Sequence, residues 1–214
     1  MYHRTRIKIC GITRAEDAAL AVAAGADAIG VVFAPSPRQV TVAEAAAALV
    51  AVPPMVARIG VFVDADAEEV AQAVRECGLT AVQFSGEEPL AACAAAPVPV
   101  LKAFRVRPGF DPSSPDAYRG HVAALLFDTY VAGHAGGTSQ AFDWRALGGL
   151  PDWAPVCVAG GLTADNVGEC IAALHPFAVD VCSGVESSPG IKDPDKILAF
   201  CAAVRAADRK VERQ

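Results

Sequence analysis

Short, continuously apolar runs alternate along the chain with longer alanine-rich segments. Eight of these runs are rich in β-branched residues and predict strands at residues 6–11, 28–33, 55–63, 81–86, 98–106, 124–129, 155–160 and 178–184. The runs lack the alternation of polar and apolar positions that marks a strand with one solvated face. They are therefore typical of a parallel sheet that is covered on both faces.

The segments between the runs carry signals for the start and end of helices. A serine, threonine or aspartate that directly precedes a helical pattern is expected to cap the N-terminus of the helix. A glutamate three residues later completes a capping box. The candidate N-caps are Thr13, Thr41, Asp64 or Asp66, Thr163 and Asp193. Gly25 and Gly78 stand where helix C-caps belong. Residues 109–120 are rich in proline and glycine, so the fifth helix should be short or missing.

Strand and helix signals alternate over the whole chain, without a linker or a shift in composition. This pattern predicts an α/β fold, and eight units predict a (β/α)₈ TIM barrel that occupies residues 1–214 as a single domain. The competing architecture is a doubly wound open sheet. That sheet usually has fewer strands, and no G-x-G-x-x-G motif follows the first strand here.

Composition and charge narrow the possible partners. Hydrophobic residues make up 53% of the chain and charged residues 20%, which excludes a disordered protein. The net charge of −6 and the absence of a basic cluster argue against nucleic acid. Prolines interrupt the longest apolar windows, and the first residues lack an apolar signal core, so we expect no membrane partner and a cytoplasmic location. The seven cysteines include no C-x-x-C pair, so we expect neither disulfides nor a metal site.

The barrel prediction turns the strand ends into candidate site residues, because barrel active sites lie at the C-terminal ends of the strands. The seventh strand ends in Gly160 and Gly161, and Ser183 and Gly184 end the eighth. Backbone amides at these two places often bind phosphate. The alternative is a pair of tight turns that require glycine only for their backbone conformation.

Cys10 and Asp128 end the first and sixth predicted strands. A thiol and a carboxyl group on either side of a sugar phosphate could act as the base and the acid of an isomerisation that needs no cofactor. Cys10 could instead be an inert barrel cysteine, and Asp128 could cap the loop that follows it. Arg38 could bind a substrate carboxylate, or it could be a solvated loop residue.

Two motifs stand at the ends of the chain, the opening Lys8-Ile9-Cys10-Gly11 and the ending Ser183-Gly184-Val185-Glu186 with Gly190-Ile191-Lys192-Asp193. Further motifs are Gly25–Gly30, Gly60–Val63, Gly136–Thr138 with Phe142–Trp144, and Ala159–Leu162. With these motifs the sequence resembles the phosphoribosylanthranilate isomerases of tryptophan biosynthesis along nearly its whole length, and the opening and ending motifs together are specific to that family.

The resemblance implies a cofactor-free Amadori rearrangement of N-(5-phosphoribosyl)anthranilate to 1-(2-carboxyphenylamino)-1-deoxyribulose 5-phosphate. By the match, Asp128 would be the general acid at the ribose ring oxygen and Cys10 the general base at C2. Arg38 would hold the anthranilate carboxylate, and Asp180 would lie near the substrate hydroxyls. The phosphate would be held by Gly160, Gly161, Ser183 and Gly184.

The sequence departs from the family pattern at three places. Ser85 stands where the family usually has a histidine near the substrate, and we expect this shorter side chain to reach the substrate only through water. Ser139 replaces a loop glycine, and Cys182 stands where serine is common.

Three alternatives remain open at this point. The chain could be a non-catalytic phosphometabolite-binding barrel, or another barrel isomerase of a phosphorylated sugar derivative. Indoleglycerol-phosphate synthase chemistry is centred on a lysine, and Lys102 is the one lysine placed to serve it. The sequence is compatible with a monomer or a homodimer.

Overall fold

The computed structural model describes residues 4–107, 109–128 and 151–211. Eight parallel strands close into a barrel in sequence order, and the last strand pairs with the first. They are β1 (Arg6–Ile9), β2 (Ala28–Val32), β3 (Ala57–Phe62), β4 (Ala81–Phe84), β5 (Val100–Arg105), β6 (Ala124–Asp128), β7 (Val156–Ala159) and β8 (Ala178–Val181). Each predicted run contains one strand, which confirms the (β/α)₈ architecture.

Helices lie between the strands and cover the outside of the barrel. They are α1 (Ala15–Ala24), α2 (Val42–Leu49), α3 (Ala67–Cys77), α4 (Leu90–Ala95), α5 (Val167–Leu174) and α6 (Pro194–Val211). A five-residue 3₁₀ helix at Ser114–Tyr118 stands between β5 and β6, which confirms the prediction for the fifth helix. A second 3₁₀ turn (Ser183–Val185) follows β8 and leads into a hairpin of β9 (Glu186–Ser188) and β10 (Ile191–Lys192). No helix among the described residues is long and apolar enough to cross a membrane.

Three of the predicted N-caps are confirmed. Thr41 and Asp66 each form a complete capping box with the glutamate three residues later. Asp193 accepts hydrogen bonds from the amides of Asp195 and Lys196 at the start of α6. The local sequence is sufficient to predict the N-caps of these three helices, because an N-cap contacts only residues of the first helical turn.

Two predicted N-caps are wrong. The N-cap of α1 is Arg14, whose side chain makes no capping bond, and the Thr13 hydroxyl instead donates to the Gly190 carbonyl at 2.6 Å. The N-cap of α5 is Asn166, and its side chain accepts a hydrogen bond from the Thr163 amide. In the first case a contact 177 residues away along the chain takes the hydroxyl that a local rule assigned to the helix. The C-caps are as predicted, with Gly25 and Gly78 at φ +96° and +59°.

The side chains divide into a core outside the barrel wall and a smaller one inside it. Ile7 and Ile9 of β1 belong to the large outer core between sheet and helices. Because side chains alternate along a strand, Lys8 and Cys10 point to the interior. The interior at β5 to β7 is apolar and is filled by Leu101, Leu126, Cys157 and Ala159. The interior is therefore apolar on one side and polar where β8 meets β1.

Candidate active site

A buried ion pair lies where the barrel closes between β8 and β1. Lys8 and Asp180 are register partners, and the Lys8 Nζ donates to Asp180 Oδ2 at 2.7 Å. Both side chains are almost completely buried. Burial by itself would lower the pKa of Lys8, but the Asp180 carboxylate raises that pKa above its usual value, so Lys8 stays charged. The other Asp180 oxygen, Oδ1, is buried and has no hydrogen-bond partner among the described residues.

Cys10 directly follows β1 and is 8% exposed. A β-carbon at Gly30 would lie 2.8 Å from the Cys10 Sγ and 3.2 Å from Lys8 Cε, so the bare backbone of β2 makes room for both side chains. Burial raises the pKa of the Cys10 thiol, the Lys8 ammonium opposes that rise, and the Asp180 carboxylate adds to it. Near neutral pH the group is therefore mainly a thiol, with a lysine beside it that favours the thiolate.

Asp128 is the last residue of β6 and lies on the same face of the strand as Leu126 of the inner core. Its side chain thus belongs to the mouth of the barrel. Asp128 is close enough to raise the pKa of Asp180, although burial is the larger cause of that rise. Only β7 and β8 separate β6 from β1, so the predicted acid and base line one end of the same cavity.

Arg38 is part of an ion-pair cluster and not a solvated loop residue. Its Nε and Nη2 donate to the two carboxylate oxygens of Glu186, at 2.8 and 2.6 Å. The side chain passes over Gly11, where a β-carbon would lie 2.6 Å from Arg38 Cδ and 2.7 Å from the Cys182 Sγ. Gly11 has φ +71° as well, so only glycine suits this crossing. The Arg38 side chain therefore crosses the backbone directly after Cys10.

The two segments predicted to bind phosphate, Gly160–Gly161 and Ser183–Gly184, come together in space. Gly160 and Gly161 have φ of +94° and +64°. A β-carbon at Gly184 would lie 1.9 Å from the Leu162 carbonyl oxygen, so the loop after β8 touches the backbone of the loop after β7. Ser183 and Gly184 open the 3₁₀ turn there. The glycines thus satisfy the backbone requirements of two loops that meet at the mouth of the barrel.

Ser85 follows β4 on the side of the mouth formed by the ends of β3 to β5. It accepts a hydrogen bond from Gln83 Nε2 at 3.0 Å, while Gln83 Oε1 is buried without a partner in the described ranges. Ser85 also lines a cavity of about 390 Å³, together with Arg105 and Tyr118. The predicted residues therefore fall in two groups: Ser85 lines the side at β4, and the others lie from β6 round to the loop after β2.

Lys102, the lysine considered for indoleglycerol-phosphate synthase chemistry, is held in a buried ion pair with Glu88. It shares a face of β5 with Val100 and Phe104, which pack in the outer core. Its ammonium group donates to Glu88 at 2.7 Å and to the Gly86 carbonyl at 2.7 Å. Lys102 thus borders the cavity at Ser85 with its ammonium group engaged by Glu88 and Gly86, which disfavours the indoleglycerol-phosphate synthase alternative.

The sequence interpretation did not assign a role to Lys8, Gln83, Glu186 or Lys192. For Lys8 and Gln83 the sequence did contain a signal, because each interrupts an apolar strand. A polar group buried in such a strand needs a hydrogen-bond partner or a counter-ion. Glu186 and Lys192 stand in loop-like sequence, and the signal for them was their place in the ending motif that carries the family resemblance. No cluster of three or more potential metal ligands occurs in the described parts of the chain.

Comparison with known proteins identifies the family. The family model for N-(5'-phosphoribosyl)anthranilate (PRA) isomerase matches residues 7–203. The chain belongs to this family. The N-(5'-phosphoribosyl)anthranilate isomerase of Pseudomonas fluorescens is 48% identical over 208 residues, covering 96% of this chain and 98% of the relative. That of Dechloromonas aromatica is 48% identical over 215 residues, covering 97% and 100%.

Solved structures of the family have the same fold. Phosphoribosyl anthranilate isomerase from Thermotoga maritima is 38% identical, with a TM-score of 0.84, covering 94% of this chain and 99% of that one. A phosphoribosyl anthranilate isomerase in complex with reduced 1-(o-carboxyphenylamino)-1-deoxyribulose 5-phosphate is 37% identical, with a TM-score of 0.81 and the same coverage. Monomers generated from the dimeric Thermotoga maritima protein give 36% identity and a TM-score of 0.77, covering 94% and 98%. The resemblance seen in the sequence motifs is confirmed.

Proposed function

We propose that this chain is an N-(5'-phosphoribosyl)anthranilate isomerase that works by general acid and base catalysis without a cofactor. The observation that carries the proposal is the pairing of a thiol and a carboxyl group, Cys10 and Asp128, at the same end of a barrel of this family. An aldose-to-ketose rearrangement requires one group that donates a proton to oxygen and one that removes a proton from carbon.

The proposed reaction begins when Asp128 donates a proton to the ribose ring oxygen. The bond from C1 to that oxygen breaks, and the nitrogen lone pair forms an iminium with C1. The Cys10 thiolate then removes the proton from C2, and the electron pair of that bond gives the enolamine. Transfer of the C2 hydroxyl proton away and protonation of C1 yield the ketone. The atoms balance, and nothing outside the substrate is oxidised or reduced.

The remaining predicted residues bind the substrate in this proposal. Asp180 Oδ1, which has no partner among the described residues, accepts a hydrogen bond from a ribose hydroxyl, which would also satisfy that buried oxygen. Arg38 binds the anthranilate carboxylate, and Ser85 reaches the substrate through water. The phosphate is held by the main-chain amides of Gly160, Gly161, Ser183 and Gly184.

We propose further that the protein is a single domain over residues 1–214 and works in the cytoplasm as a monomer or a homodimer. Its partner is the phosphorylated small-molecule substrate, with no role for nucleic acid or a membrane. The net charge of −6 supports this, since a nucleic-acid site requires clustered positive charge.

The test follows the fluorescence of phosphoribosylanthranilate, made in situ from anthranilate, with and without the protein. We expect the signal to decay faster with the protein present, and the Cys10→Ala and Asp128→Asn variants to serve as matched controls. A decay at the background rate, with tight binding of the reduced product analogue, would show a non-catalytic phosphometabolite-binding barrel instead.

A further inference from the structure

The guanidinium of Arg38 uses one of its two edges within the protein. The edge formed by Nε and Nη2 is bound by both oxygens of Glu186, so the pair has the parallel, two-bond geometry that fixes the guanidinium plane. A guanidinium has five N–H donors, and this pairing occupies two of them. The Nη1 side makes no hydrogen bond with the described residues, and the side chain is 22% exposed. A second carboxylate can therefore bind there.

Glu186 is itself held firmly. Its carboxylate is 4% exposed and accepts hydrogen bonds from Lys192 Nζ at 2.9 Å and from the Gly190 amide at 3.3 Å. Lys192 is fully buried, and its ammonium also donates to the Cys182 carbonyl at 3.2 Å. Burial opposes ionisation of Glu186, but Arg38 and Lys192 together hold the pKa of this carboxyl below its usual value. The glutamate is therefore a fixed anion between two cations.

The charges of this cluster do not cancel. Arg38 and Lys192 contribute two positive charges and Glu186 one negative charge, and no other carboxylate forms an ion pair with any of the three in the described residues. The surplus positive charge is on the exposed member, Arg38, beside Gly11 at the mouth of the barrel. One bound carboxylate would make the cluster neutral.

We propose that Glu186 is a positioning residue, which fixes the plane of the Arg38 guanidinium so that its outer edge faces the substrate carboxylate, with Lys192 keeping Glu186 ionised and in place. The inference rests on the proposed function, and it adds that recognition of the carboxylate depends on a residue that does not touch it. Without Glu186, the long arginine side chain could adopt other rotamers, and part of the binding energy would be spent on ordering it.

The test compares two substrates, phosphoribosylanthranilate and the phosphoribosyl adduct of aniline, which lacks the carboxylate. Conversion of the first is followed by fluorescence and of the second by proton NMR. We expect Glu186→Gln to lower kcat/KM for the anthranilate substrate about 10-fold more than for the aniline substrate, mainly through KM, because the change removes a charge-assisted pair. Glu68→Gln on the exposed surface of α3 is the matched control and should leave both values unchanged.

A double-mutant cycle shows whether Glu186 acts through Arg38. In an Arg38→Ala background, Glu186→Gln should lower kcat/KM for the anthranilate substrate little further. The double variant should therefore have nearly the same kcat/KM as Arg38→Ala alone. Glu186→Gln leaves the Lys192 charge buried without its partner, so the variant Glu186→Gln/Lys192→Met repeats the measurement with both charges removed. A thermal melt of each variant reports folding.

Three outcomes decide the matter. A selective loss with the anthranilate substrate that vanishes in the Arg38→Ala background supports the inference. An equal loss with both substrates, or full additivity with Arg38→Ala, overturns it, since Glu186 would then act by another route. If the wild-type protein converts neither substrate, the proposed function itself fails and the inference falls with it.

Discussion

The Lys8–Asp180 pair makes a sharp prediction about stability. Replacing Lys8 by methionine keeps most of the side-chain volume but leaves Asp180 buried at 7% exposure without a counter-ion. Removing one partner of a buried ion pair typically costs ~3–5 kcal/mol in the free energy of unfolding. We expect the Lys8→Met variant to lose about this amount at pH 7, and the double variant Lys8→Met/Asp180→Asn to recover much of it because no buried charge remains.

The pH dependence of that loss follows from the pKa of Asp180. Burial raises this pKa, and the Lys8 ammonium opposes the rise, so removing Lys8 raises it further. A carboxyl with a raised pKa in the folded state stabilises the fold below its unfolded pKa, and this contribution is lost as pH rises through the folded value. The free energy of unfolding of Lys8→Met should therefore fall further below that of the wild type between about pH 4 and pH 7, by at most ~1.4 kcal/mol per pH unit.

The measurement is urea unfolding followed by far-UV circular dichroism, at pH 5 and pH 7, on wild type, both single variants and the double variant. Equal slopes against urea would show that the free energies are comparable. The reasoning is refuted if Lys8→Met costs less than ~1 kcal/mol at pH 7, or if its deficit is the same at both pH values. Full additivity of the two single changes would refute it as well.

Three further predictions concern activity. Cys10→Ala and Asp128→Asn should each lower kcat by about 10²–10⁴-fold, the usual range for a positioned acid or base, and near-wild-type turnover would remove the residue from its role. Arg38→Ala should mainly raise KM, which initial-rate kinetics will show, and an unchanged KM would contradict its binding role. Because burial raises the pKa of Cys10, the thiolate fraction of this residue should rise about 10-fold per pH unit between pH 6 and pH 8, and the rate at which iodoacetamide inactivates the protein should rise with it. An inactivation rate that does not change with pH over that interval would contradict the raised pKa of the Cys10 thiol.

The sequence was most informative where structure depends on neighbours along the chain. Each of the eight strands fell within its predicted run, and the caps at Thr41 and Asp66 formed as expected. The predicted runs extend beyond the strands at one or both ends, as at 55–63, where β3 spans Ala57–Phe62. At Thr13 the same local rule was wrong, since the hydroxyl bonds to Gly190 in the hairpin that follows β8.

The site could be predicted only in part, since its most strongly fixed contacts join distant residues. The Lys8–Asp180 bond spans 172 positions and the Arg38–Glu186 pair spans 148. No periodicity or spacing rule connects residues so far apart, and closure of the barrel between β8 and β1 brings them together. The strand-end rule found Cys10 because it needs only the residue's own place in its strand.

The two sides of the barrel interior differ in polarity, and this difference helps to explain why the charged residues Lys8 and Asp180 are buried where β8 meets β1. At β5 to β7 the interior is filled by apolar side chains such as Leu101 and Leu126, which is sufficient to pack a barrel. Apolar residues can often replace a buried ion pair without loss of stability, so packing does not require Lys8 and Asp180 at this closure. The charges instead do what apolar side chains could not. Lys8 favours ionisation of the adjacent Cys10 thiol, and Asp180 presents a buried carboxylate oxygen that accepts no hydrogen bond from the part of the chain that the structure describes. The polar side of the interior is therefore better explained by the chemistry proposed for its mouth than by the stability of the fold.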